Sequence, residues 1–171
     1  MGRAIIRLSD ALYRLCRWGA VAGILLMVAL IAIQVVARYL LKEPPAWTEE
    51  GARYAMIWGG LLGATLAFRW RQDPVLLRLG FFERGRGQGL GLALRAIATV
   101  VFLGPIWFYS LFGPGFDLTR GYLARSAART AEAIGLPMVW FSAAVPVAIT
   151  IIFVHLAAQL AAGRAETTGE P

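Results

Sequence analysis

Glu49 and Glu50, with Arg53 just beyond them and Arg38 and Trp47 just before, are the side chains best placed for chemistry in this chain. Paired carboxylates beside arginines can hold an organic anion or sodium, because charged groups make the strongest hydrogen bonds. The same groups can equally serve as a structural network that fixes a turn and docks a partner. Catalysis has thinner material. A single His155, a single Cys16 and no His/Asp/Glu cluster exclude most metal hydrolysis and histidine-based acid–base schemes. His155, with Gln159 four residues on, could relay protons or ligate haem. A bis-histidine haem needs a second histidine, so the expectation is a packing or interfacial residue. No cofactor, metal or nucleotide fingerprint is expected.

The elements that position these residues are apolar. Of 171 residues, 58% are hydrophobic and 16% charged, well below the roughly 25% charged residues of a soluble domain. The net charge of +7 is read as the arginines that orient membrane helices rather than as a nucleic-acid surface. One cysteine excludes an internal disulfide framework.

Along the chain, residues 1–17 interleave Arg3, Arg7, Arg14 and Arg17 with Ile5, Ile6, Leu8, Leu12 and Leu15, which predicts a short interfacial amphipathic helix. The uncharged run from Trp18 to Ala37 predicts an uncleaved membrane span. Pro44-Pro45 ends it, and Thr48 is expected to cap a second helix whose first turn carries Glu49 and Glu50. Glu49 and Arg53 stand in the favourable acid-first spacing for an ion pair. Gly51, Ala55, Gly59, Gly63 and Ala67 recur every fourth residue, a ridge that permits close helix packing against the first helix or a partner subunit. A basic, glycine-rich surface loop follows from Trp70 to Gly89. A third span has Pro105 at its middle, and a polar segment from Asp117 to Glu132 holds a short surface helix. A last span starts near Pro137, contains Pro146 and gives way to a short disordered tail.

These features predict one all-α membrane domain over residues 1–171, with four transmembrane helices at about 18–41, 47–68, 90–112 and 136–162 and short amphipathic surface segments. Lys and Arg number eleven on the side of the termini and six on the other, so the N-in/C-in arrangement is expected.

In these residues the sequence resembles the small membrane subunit of the tripartite ATP-independent periplasmic (TRAP) transporters, the DctQ-like family. The matching elements are Gln34-Val-Val-Ala-Arg38-Tyr39, Trp47-Thr48-Glu49-Glu50, Arg53-Tyr54 and Gly59 through Ala67 with Arg69. Gly135-Leu-Pro137, Trp140 and Ala144-Val-Pro146 follow near the other end. Family members often carry a histidine shortly after the second helix, where this chain has Arg71-Gln72-Asp73-Pro74, so no role of that histidine transfers. The resemblance implies a multi-pass protein of a bacterial cytoplasmic membrane. Its partners would be a large membrane subunit of about a dozen helices, a periplasmic binding protein and membrane lipid, with no nucleic acid. Uptake of an organic acid, typically driven by sodium, would be the task of the assembly, and this chain would brace it without catalysing a reaction. The alternatives from other classes are a small four-helix redox or anchor subunit and an autonomous small exporter.

Overall fold

The computed structural model describes residues 2–70 and 87–168. The chain begins with α1, Gly2–Val36, in which no proline interrupts a run rich in alanine, leucine and isoleucine. Basic and apolar parts form one continuous helix with no break before Trp18. Its 35 residues extend about 52 Å at ~1.5 Å per residue, against a hydrocarbon core of about 30 Å. The expected separate interfacial helix is therefore the first half of a longer rod. Helical hydrogen bonding continues straight through because nothing in the sequence supplies a breaker. A π-helical turn, Ala37–Leu41, finishes it, and Lys42 leaves in the left-handed region at φ 62°.

Pro45 leads directly into α2, Ala46–Arg69, from an extended conformation. Thr48 is not the cap expected from its type. It is already the third helical residue, and its hydroxyl donates back to the Pro45 carbonyl at 2.6 Å. The proline pair sets the entry angle, so Thr48 is fully buried inside the first turn. The next helix, α3, covers Gly87–Leu111 and contains Pro105. The loop expected between Trp70 and Gly89, with the Arg71–Pro74 departure, falls mostly outside the described residues.

The polar segment after α3 folds as a 3-10 turn, Leu118–Arg120, and a six-residue helix, α4, Tyr122–Ala127. Asp117 caps the turn, and bonds from the hydroxyl and backbone N–H of Thr119 hold its carboxyl below the usual carboxylate range. The last apolar stretch divides into α5, Val139–Ser142, and α6, Ala144–Thr168. Helix therefore starts later than Pro137, which instead pairs with Thr130 in a β-bridge. Pro146 falls in the first turn of α6, where a missing N–H costs little. Helical backbone also continues into the segment expected to be a loose tail.

α1, α2 and α6 pack against one another, with α1–α2 the most extensive contact, and α3 rests on α6. Alanine supplies much of the buried surface, including Ala20, Ala52, Ala55, Ala144, Ala148 and Ala158, so backbones approach closely. The outward faces are apolar: Leu25, Val101 and Phe102 are among the exposed large side chains. Among the described residues three helical segments, Gly2–Leu41, Gly89–Leu111 and Val139–Ala162, are long and apolar enough to cross a membrane. α2 has comparable length, but Glu49, Glu50 and Arg53 in its first turns and frequent glycine and alanine lower its hydropathy. The chain is an all-α membrane protein.

Candidate functional site

Two polar clusters lie at opposite ends of α2. At its start, the acids take different roles. Glu49 pairs with Arg53 at 3.1 Å on an exposed surface, an arrangement that contributes little to stability in water. Glu50 turns toward the protein. Its Oε1 accepts from the Tyr54 hydroxyl at 2.8 Å, and its Oε2 accepts from the backbone N–H groups of Ala133 and Ile134 at 2.8 and 2.9 Å.

The loop that offers those two donors is built for it. Ala131 N–H donates to Leu136, Met138 N–H donates to Arg129, and Gly135 N–H donates to Ala131. Gly135 sits at φ 74°, a conformation in which a side chain is strained. The reversed backbone leaves the N–H groups of residues 133 and 134 pointing at one carboxylate. Tyr54 then stacks on Phe141 with ring centroids 3.4 Å apart, and Trp58 Nε1–H donates to the Trp140 carbonyl at 3.1 Å. Glu50 and its neighbours thus tie α2 to the segment that starts α5.

Of the other residues singled out here, Arg38 is exposed and makes no hydrogen bond or ion pair among the described residues, and Trp47 is 47% exposed. The five residues Arg38, Trp47, Glu49, Glu50 and Arg53 occupy one end of the bundle, but the direct bonds join only Glu49 to Arg53. Tyr54 and the backbone of residues 133–134 complete the Glu50 cluster. The signal for them was the Gly135-Leu-Pro137 turn, whose partner 83 residues away has no local signature.

The small-residue ridge also divides. A Cβ on Gly59 would lie 3.2–3.4 Å from backbone of Ala20, Gly23 and Ile24, and Ala55 is buried at the same crossing. Gly51 faces Leu30 and Ile134, whereas Gly63 faces nothing within 4 Å, like Gly60. Ala67 is half-buried.

The second cluster, at the end of α2, is built on Arg69. Its guanidinium donates to the Ser9 carbonyl at 2.7 Å, forms an ion pair with Asp10 and lies over the Tyr13 ring. Ser9 Oγ is hydrogen-bonded to Nδ1 of His155 at 2.7 Å, and His155 is 1% exposed. Gln159 and Arg95 both donate to the Phe68 carbonyl, an acceptor left over at the helix end. This places His155 in the packing between α1 and α6. Asp10 and Ser9 escaped the sequence reading because only the overlong α1 brings them level with Arg69. Arg69→Gln should lower the unfolding stability of the detergent-solubilised chain by about 1–2 kcal/mol, the value of charge-assisted bonds discounted for partial exposure. Unchanged thermal unfolding would remove this cluster from the account of stability.

Among the described residues no three His, Cys, Asp or Glu side chains come together as a metal-binding group. An open cleft of about 230 Å³ lies between Tyr122, Arg125, Arg129 and Met138.

No curated protein and no solved structure matches the chain. The family model for the DctQ component of the tripartite ATP-independent periplasmic transporters matches residues 27–165, a span that includes both sides of the Glu50 tie and, of the α1–α2 crossing, the α2 side. The chain therefore belongs to the DctQ family, the small-subunit component of those transporters.

Proposed function

We propose that this chain is a structural subunit that braces the large permease of a TRAP-type importer. The reading rests on the fate of its charged groups. Glu50 is occupied by three donors from its own chain, and Arg69 is held by α1. Groups committed to holding helices together are poorly placed to bind and release a substrate. The exposed apolar faces of α1 and α3 are suited to lipid and to a membrane partner.

In this reading α2 also crosses the bilayer, which makes four spans, and the excess of arginine places both termini in the cytoplasm. The location is a bacterial cytoplasmic membrane. A periplasmic binding protein delivers an organic acid, and transport proceeds by symport in the large subunit.

Co-purification is the direct test. Tagged chain co-expressed with its cognate large permease should bring that permease down, and deletion of the small-subunit gene should abolish uptake. Recovery as a lone chain together with intact uptake in the deletion would overturn the proposal. For topology, a reporter enzyme active only outside the cytoplasm should be silent when fused after Pro171. Activity there would reverse the orientation.

A further inference from the structure

We propose that the N-terminal half of α1 holds an anionic phospholipid, with the headgroup phosphate at Arg14 and Arg17 and the acyl chains along Val21, Leu25 and Val28. At 100° per residue, Arg3, Arg7, Arg14 and Arg17 fall within about 80° of arc on one helix face. All four are exposed, and they make no hydrogen bond or ion pair among the described residues. Asp10 shares the arc, but Arg69 engages it. The same line continues toward the middle of the helix as Val21, Leu25 and Val28, which are 45%, 64% and 53% exposed. Trp18 lies beside it at 74%. Read along the helix, the exposed strip is cationic and then aliphatic, the order of groups in a phospholipid.

Depth supports the same occupant. The uncharged run from Trp18 to Ala37 begins immediately after Arg17 and covers about 30 Å, the thickness of the hydrocarbon core. Arg17 then stands at the hydrocarbon edge and Arg14 about 5 Å outside it, in the headgroup layer. An exposed guanidinium at that edge extends to water, a phosphate or a carboxylate. The adjoining tryptophan and aliphatic residues are those of a lipid-facing surface. Two arginines against one phosphate favour a lipid of net negative charge over a zwitterion.

The test uses the full chain extracted from vesicles of equal phosphatidylglycerol and phosphatidylcholine with matched acyl chains, with retained lipids counted by native mass spectrometry. The wild-type chain should retain phosphatidylglycerol over phosphatidylcholine by at least about fivefold, the effect of one arginine near an anionic surface. R14Q/R17Q should bring the ratio close to one, and R14K/R17K should keep most of the preference. Were the glutamine variant to misfold, the wild-type preference must itself collapse at about 0.5 M salt, where screening is short-ranged. A wild-type ratio near one, or a preference untouched by both glutamine substitution and salt, would overturn the proposal. So would loss of the large permease from R14Q/R17Q when the wild type shows no lipid preference, which would assign the strip to protein. The lipid measurements need no partner subunit, so their failure is distinguishable from failure of the bracing role.

Discussion

Gly23→Leu separates α1 from α2 and costs the isolated chain about 3 kcal/mol or more, the upper range for overpacking. A Cβ at residue 23 would lie 2.8 Å from the Gly59 Cα, 3.0 Å from its nitrogen and 3.1 Å from the Ala55 carbonyl oxygen. All three are backbone atoms on a rigid helix, so no side chain can swing away and the axes must part. Gly59→Leu should act in the same way, because its Cβ meets the Ala20–Ile24 backbone from the other side. Gly63→Leu is the control: nothing lies within 4 Å of its Cβ, and the isolated chain should change by no more than about 0.5 kcal/mol. The measurement is unfolding in detergent, followed by co-purification with the large permease. If Gly63→Leu leaves the chain intact and still abolishes co-purification, the outer part of the ridge is an intersubunit surface. A Gly23→Leu chain as stable as wild type would show that the α1–α2 crossing is not where the helices are held.

Glu50→Ala should free the loop that carries Ala133 and Ile134. The two N–H groups lose their shared acceptor, and Tyr54 loses the partner that steadies its stacking on Phe141. A cysteine placed at residue 133 should then react with a water-soluble thiol reagent several-fold faster, and the yield of assembled complex should fall. Glu50→Gln retains one acceptor oxygen of the right shape but no charge, so it should lie between alanine and wild type. Glu49→Ala, at the exposed ion pair, should change neither readout. Equal labelling rates in wild type and Glu50→Ala would mean the loop is held by its own turn. A Glu50 variant that loses uptake while the complex stays whole would return the carboxylate to substrate or ion chemistry.

The contrast between Glu49 and Glu50 shows where sequence reasoning stops. Adjacent identical residues at a helix start have the same local preferences. The helix rotation of about 100° between them aims one at solvent and the other at a loop 83 residues later. Likewise Ser9 and Asp10 belong to no motif, and they meet Arg69 because α1 continues as a rigid rod past the end of the apolar run.

By itself the sequence determined the membrane class, the helix break at Pro44-Pro45, the acidic start of α2, and the family. These are properties of composition and of neighbours along the chain, where backbone sterics and hydropathy act locally. Only the tertiary structure decided that Gly59 packs on Gly23 while Gly63 stays open, that Glu50 rather than Glu49 is the tie, and that His155 is bonded to Ser9. Each of those outcomes depends on helix azimuth and axial register. A four-residue period of small side chains establishes that a ridge exists, and the packing of three helices selects which part of it is covered.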